Sequence, residues 1–379
     1  MSTKPLLRIG IVCYPTFGGS GVLATELANH LAEQGHQVHV LSYAQPVRLN
    51  AYNPNLYYHE VQVENYPLFQ YQPYELALSS AMVSMVERES LDVLHVHYAI
   101  PHAYAAYMAR KILEDKGKYL PVVTTLHGTD ITLVGKHPTY HQAVCFSIEH
   151  SSAVTAVSDS LKADTIELFD IKRAIQVVPN FVDSKRFFRC EGDRQIQLST
   201  HGEWIISHVS NFRKVKRIGD VIDIFERIQA KVPAKLIMVG DGPERTGAEQ
   251  HVKALGLTGK VLFAGKTTEV NHVLGQSDLF LLPSESESFG LAALEAMASY
   301  VPVIASKSGG LPEVVTHGVN GYLEAVGDVD AMAARALEIL KDRPTQQGFA
   351  NAARKSAEGF SVTDVADEYL AIYRRVIHG

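Results

Sequence analysis

Cysteine is scarce in this 379-residue chain: Cys13, Cys145 and Cys190 stand far apart, with no CxxC pair. That pattern excludes a disulfide framework and a zinc ribbon, and reduced thiols fit a cytoplasmic setting. Long apolar runs are missing as well. No stretch reaches the roughly 18 consecutive apolar residues of a membrane span, and the run inside "MSTKPLLRIGIVCYP" is too short for a signal-peptide core. The expectation is a soluble protein with no membrane insertion. Neither sign of charge dominates, because 35 Lys and Arg are interspersed with 41 Asp and Glu for a net charge of −6. No broad basic surface advertises nucleic acid or anionic lipid, so any negative ligand must be met by a few local cations. Short-period repeats and low-complexity tracts are absent too.

What is present is ordinary globular composition, 46% hydrophobic and 20% charged, with length enough for two domains. Short β-branched runs ("LRIGIVCY", "HQVHVLSY", "LDVLHVHY", "LPVVTTLHG") alternate with helical patterns ("GVLATELANHLAEQG", "AYAAYMARKILEDKG"). The alternation predicts a parallel sheet covered by helices. "SAVTAVS" adds a strand before a helix at 159–169. The rhythm restarts in the second half with "EWIISHVSNF", "AKLIMVGDG", "KVLFAGK", "LFLLPS" and "VPVIASKSGG", separated by helices near 218–232, 244–256, 268–276 and 290–300. Two βα arrays joined near residues 179–187 predict two Rossmann-like doubly wound domains, 1–182 and 183–358, facing a central cleft. The segment 359–379 predicts a helix that docks by its face of Val365, Tyr369, Leu370, Ile372 and Tyr373.

Six segments are candidates for chemistry. "PTFGGSG", residues 15–21, opens the first helix and aims backbone N–H groups outward, although it does not complete GxGxxG; it is either an anion cradle or a tight strand-to-helix turn. "HVSNFRKVKRIGD", residues 208–220, places Asn211, Arg213, Lys214, Lys216 and Arg217 after a strand, where open α/β sheets bind ligands. A diphosphate is the natural guest of such cations, and a solvated charged face is the alternative. "VGDGPE" offers Asp241 as a ligand contact or as a turn former. "LHGTD" puts His127 and Asp130 at the end of an apolar strand, and "HVHYAIPHA" puts His95 and His97 on one strand face, a pair read as structural rather than metal-binding. In "SESESFGLAALEAMA", Glu287 precedes a helix and Glu295 lies within it. Helix-dipole complementarity explains Glu285 and Glu287, but Glu295 sits too deep for it, which suits two carboxylates holding different hydroxyls of one polyol.

Glu287-Ser288-Phe289-Gly290 with Glu295 resembles the EX7E motif of the retaining GT-B glycosyltransferases of family 4, and the likeness covers nearly the whole chain. "CYPTFGGSGVLATELA", "HVHYAIPHA", "TTLHGTDIT", "SNFRKVKR" and "VGDGPE" are similar to the branch that moves N-acetylglucosamine from UDP-N-acetylglucosamine to the hydroxyl of L-malate, the first step of bacillithiol biosynthesis. The resemblance implies donor contacts at Gly19, Asn211, Asp241, Phe289, Gly290, Leu291 and Glu295. It implies catalytic roles for His127, Arg213, Lys216 and Glu287, with Glu287 on the sugar 3-hydroxyl and Glu295 on the ribose. Asn211 stands where many members have the first phosphate-binding arginine, with Arg213 two residues on. Ser20 of the glycine loop, Tyr98, Thr129 and Arg48 are the acceptor candidates, Arg48 being alternatively a solvated loop residue. No cofactor or divalent metal is implied, since cations and a helix start stabilise departing UDP and the leaving phosphate oxygen takes the acceptor's proton. Small-molecule substrates are the expected partners, with homo-oligomerisation left open. Another acceptor, a donor epimerase and a nucleotide-sugar sensor without chemistry are the rival readings.

Overall fold

The computed structural model describes residues 5–16, 19–64, 67–190 and 202–379. The chain forms two compact units, residues 1–180 with 362–379, and residues 181–361. The boundary falls at 180/181 rather than 182/183, and the segment predicted from 359 divides, its first three residues staying with the second unit.

The first unit runs β1 (Arg8–Val12), α1 (Ser20–Glu33), β2 (Gln37–Ser42), β3 (Leu56–Glu60), α2 (Tyr74–Glu89), β4 (Val93–His97), α3 (Tyr104–Asp115), β5 (Val122–Leu126), α4 (Pro138–Glu149), β6 (Ala153–Ala156), α5 (Asp159–Phe169) and β7 (Ile175–Val177). Its seven strands are all parallel, in the order β3-β2-β1-β4-β5-β6-β7. β1, β2, β4 and β5 are buried along nearly their whole length, so their continuous apolar runs pack helices on both faces.

The second unit runs β8 (Trp204–Ser210), α6 (Ile218–Gln229), β9 (Ala234–Gly240), α7 (Arg245–Ala254), β10 (Val261–Gly265), α8 (Val270–Leu274), β11 (Leu279–Leu282), α9 (Leu291–Ala298), β12 (Val303–Ser306), α10 (Leu311–Val314), β13 (Gly321–Glu324), α11 (Val329–Ile339) and α12 (Arg343–Ala357). Its order is β10-β9-β8-β11-β12-β13, again all parallel. In both sheets the winding reverses direction once, between β1 and β4 and between β8 and β11. The loops leaving the carboxyl ends of those pairs part there and open a crevice. Ile206, Val221, Phe225, Leu236 and Ile304 belong to one buried cluster beneath the second sheet's loops.

The last helix, α13 (Val362–His378), belongs to the first unit. It buries Val365, Tyr369, Leu370, Ile372 and Tyr373. Two of these carry hydroxyls into the sheet: Tyr373 lies 2.7 Å from His95 Nδ1, and Tyr369 lies 3.0 Å from Thr125 Oγ1. Thr125 also meets His95 Nε2 and Thr155 Oγ1, both at 2.7 Å. A network this deeply buried stabilises only while every member is satisfied. Tyr373→Phe leaves His95 Nδ1 without its partner, and it is expected to reduce stability by about 1–3 kcal/mol. An unchanged midpoint in urea unfolding followed by tryptophan-independent circular dichroism contradicts that role.

Candidate functional site

The reversal point of the second sheet gathers the charged motif and the glutamates. His208, fully buried in β8, lies 2.9 Å from the Leu281 carbonyl through Nδ1, so that nitrogen carries the proton. Its Nε2 therefore accepts from Ser210 Oγ at 2.8 Å, and Ser210 Oγ accepts from the Phe212 N–H at 3.3 Å. This chain of donors ties the end of β8 to β11 and sets where residues 211–217 begin.

From there, Lys214–Lys216 form one 3₁₀ turn, and the Glu285 N–H donates to the Val215 carbonyl at 2.8 Å. Lys216 Nζ reaches Glu287 Oε1 at 2.5 Å, and Ser284 Oγ donates to the same oxygen at 2.8 Å. The two charged side chains are only 19% and 13% exposed, so solvent screens their contact weakly. Oε2 of Glu287 makes no hydrogen bond among the described residues. Asn211 and Arg213 are exposed, and their side chains make no hydrogen bond or ion pair among the described residues.

Two close backbone approaches hold the neighbouring loops. A Cβ on Gly242 would stand 2.1 Å from the Asn211 carbonyl oxygen, and one on Gly309, at φ +55°, would stand 2.0 Å from that of Glu287. Glycine is required at both. Gly290, at φ +98°, begins α9 without any side-chain cap, leaving the first N–H groups of Leu291 and its successors open to an anion. Glu295 is half-buried one turn further on, and the Phe289 ring is buried against Phe360. Asp241 Oδ1 accepts from the Gly242 N–H at 2.9 Å and lies 3.7 Å from Arg245 Nη1.

The first unit's reversal point brings together Tyr14, Ser20, Tyr98, His102 and His127. Ser20 Oγ and Tyr98 Oη are 2.6 Å apart, and the Tyr98 and His127 rings lie 5.2 Å apart. Buried Asp130 shapes the turn after β5, accepting from the N–H groups of Ala99 (2.9 Å), Gly128 (3.0 Å) and His127 (3.2 Å). Gly19, at φ +65°, starts α1, while Phe17 and Gly18 of the glycine loop lie outside the described residues. Thr129 is exposed, with no side-chain hydrogen bond among the described residues. Of the two readings of Arg48, the solvated loop residue does not hold: it pairs with Glu26 of α1, both being nearly buried, because the loop after β2 folds back onto that helix.

Among the described residues, one group of three His, Cys, Asp or Glu side chains has donor atoms close enough to share a metal ion: His39, His59 and Glu89. Arg88 donates to His59 Nδ1 at 2.8 Å and to Glu89 at 2.6 Å, and His59 Nε2 lies 3.0 Å from His39 Nδ1. These atoms are thus already engaged with one another. The chain's DxD tripeptide, Asp328-Val329-Asp330, is also occupied: Asp328 caps α11 and Asp330 meets Arg227.

The chain is similar over residues 17–186 to the family described as Glycosyltransferase Family 4 and over residues 191–356 to Glycosyl transferases group 1. It is 48% identical over 377 residues to N-acetyl-alpha-D-glucosaminyl L-malate synthase of Bacillus anthracis, covering 98% of this chain and 97% of that protein. The chain belongs to the family 4 glycosyltransferases. Its fold is GT-B, as in sucrose-phosphate synthase of Thermosynechococcus elongatus (TM-score 0.83, 20% identity, 98% and 99% of the two chains) and Anabaena HepE in complex with UDP and glucose (TM-score 0.80, 22% identity, 97% and 99%).

As a glycosyltransferase, the chain has site residues that single motifs did not reveal. His208, Ser210 and Ser284 support the Lys216–Glu287 contact, yet each is an unremarked polar residue inside or beside an apolar strand. The histidines share one electrostatic state. Burial pushes His95 and His127 down to about 3, and His102 and His208 down to about 4, from an ordinary 6.5. Asp130 moves oppositely, pushed up to about 6 from 3.8 by burial against the pull of its backbone hydrogen bonds.

The unfolded chain takes up protons on these imidazoles near 6.5 and the folded one only near 3–4. Their contribution to stability is therefore full above 6.5 and is lost as pH falls toward 4. Asp130's contribution is full below 3.8 and is lost as pH rises through 6, which offsets only one of the four. The glycosyltransferase is accordingly expected to lose at least about 5 °C of thermal midpoint between pH 7.5 and 5.5. A flat profile in scanning calorimetry contradicts neutral burial of these rings.

Proposed function

We propose that this glycosyltransferase moves N-acetylglucosamine from UDP-N-acetylglucosamine to the hydroxyl of L-malate, with retention at the anomeric carbon and without a divalent metal. The observation that carries this reading is the Lys216–Glu287 contact beside the open start of α9. A cation, a carboxylate with one unengaged oxygen and a set of free N–H groups are what a nucleoside diphosphate-sugar needs. Arg213 and Lys216 meet the diphosphate and stabilise the charge that grows as UDP departs. Glu287 and Glu295 hold sugar and ribose hydroxyls. With those cations supplied by the protein, electrostatic stabilisation of the leaving group needs no metal.

The acceptor assignment draws on the 48% likeness to the Bacillus anthracis malate synthase and on the Ser20–Tyr98 hydroxyl pair at the first unit's reversal point. Those hydroxyls and the exposed Thr129 offer donors to a dicarboxylate.

Incubation with UDP-N-acetylglucosamine, L-malate and EDTA is expected to release UDP and yield one α-linked product by mass spectrometry and proton NMR. UDP release that is equal without malate removes the acceptor, a β-linked product removes retention, and activity restored only by added Mg²⁺ removes metal independence. An altered donor sugar in the absence of malate favours an epimerase.

Lys216→Ala is expected to lower kcat by about 100-fold or more while shifting the thermal midpoint by less than about 4 °C. Comparable losses of rate and stability reassign Lys216 to a structural role.

A further inference from the structure

His127 is bound through one ring nitrogen. Its Nε2 lies 2.8 Å from Nδ1 of His97, with the two rings stacked at 5.1 Å. Its Nδ1 makes no hydrogen bond among the described residues and is not among the buried polar atoms lacking a partner. Burial keeps both rings neutral, so one proton occupies the contact between them.

Two arrangements satisfy that proton. If His97 donates from Nδ1, its own Nε2 is a bare lone pair. If His127 donates from Nε2, His97 must carry its proton on Nε2. That Nε2 is buried with no hydrogen-bond partner among the described residues, so the second arrangement strands an N–H donor in the interior. Buried orphan donors are rarer than under-satisfied acceptors. The neighbouring ring shows which state this interior accepts. His102 Nδ1 lies 2.5 Å from the His97 carbonyl, so it must donate, and the buried, unpartnered Nε2 of His102 is bare.

We infer that His97 is a positioning residue that fixes His127 in the Nδ1–H tautomer, so that the open nitrogen of His127 faces the ligand as a hydrogen-bond donor rather than an acceptor. This inference rests on the transferase reading for its ligand, an oxygen of the substrate bound at the first unit's reversal point. Its sequence basis is the alternation in "HVHY", which sends His97 to the same strand face as His95 and against the end of β5. His95 is spent on Thr125 and Tyr373, and His97 is left to His127.

The test uses the full chain with ¹⁵N-labelled histidine, the His127 signals being assigned by their loss in His127→Asn. The expected spectrum has the proton on Nδ1 of His127. Asparagine at 97 places an amide N–H near the position of the imidazole Nδ1–H, so His97→Asn is expected to retain the tautomer and to keep kcat within about threefold. His97→Leu removes the donor and is expected to return His127 to the Nε2–H form preferred in water, with kcat down about tenfold and the donor KM changed far less, the signature of one lost hydrogen bond in the transition state. A wild-type spectrum with the proton on Nε2 overturns the inference even if both variants fail to fold. So do equal losses in the two variants with the tautomer unmoved. If the wild-type protein makes no malate-dependent product, the substrate reading falls while the tautomer is still read from the spectrum.

Discussion

The contact of Lys216 with Glu287 joins two loops that lie 71 residues apart in sequence and meet because β8 and β11 are neighbours in the sheet. Nothing local to either loop specifies the pairing. The strand order creates the crevice, the His208 bridge to the Leu281 carbonyl fixes the starting point of one loop, and the close approach of Gly309 to Glu287 fixes the other. The Glu287 carboxylate, itself held by Ser284, gives the ammonium a partly buried environment that is polar. An ammonium held this way already stands out of bulk water, among protein oxygens.

The two reversal points are built on opposite electrostatic principles. In the second unit charge predominates, with Arg213 exposed beside Asn211 and the partly buried Lys216 held by a single carboxylate. In the first unit they are neutral rings and hydroxyls whose protons are distributed by geometry: His95 between Thr125 and Tyr373, His97 against His127, and Ser20 against Tyr98. Asp130 is spent entirely on backbone N–H groups, so it shapes the turn without presenting a carboxylate to a ligand. Such a surface suits recognition of oxygens by directed hydrogen bonds, whereas the charged loop suits stabilisation of a departing anion.

Much of this was legible in the sequence wherever one residue type has one reason to occur. Unbroken β-branched runs such as "RIGIV" and "VVTTL" announced buried parallel strands, and the Glu287–Glu295 spacing announced a carboxylate pair around a helix start. Elements whose pattern is diluted carry no clear signal: β3 reads "LYYHE", half exposed at the sheet edge; β13 has four residues; and α2 and α4 have apolar faces broken by Ser, Glu, His and Gln. Partnerships were the least legible. That Arg48 meets Glu26, that Tyr373 meets His95 and that Ser284 meets Glu287 depends on which segments pack together, and a linear pattern carries no such information.

The return of α13 to the first sheet makes that unit discontinuous: its last structural helix is encoded after the whole second unit. Residues 5–180 leave the ribosome before Tyr369 and Tyr373, so His95 Nδ1 lacks its Tyr373 partner until α13 is made, while Thr125, Thr155 and His95 Nε2 already bond one another. The second unit, continuous from 181 to 361, is made whole before α13 emerges, so the sheet of the first unit is completed after the unit that follows it.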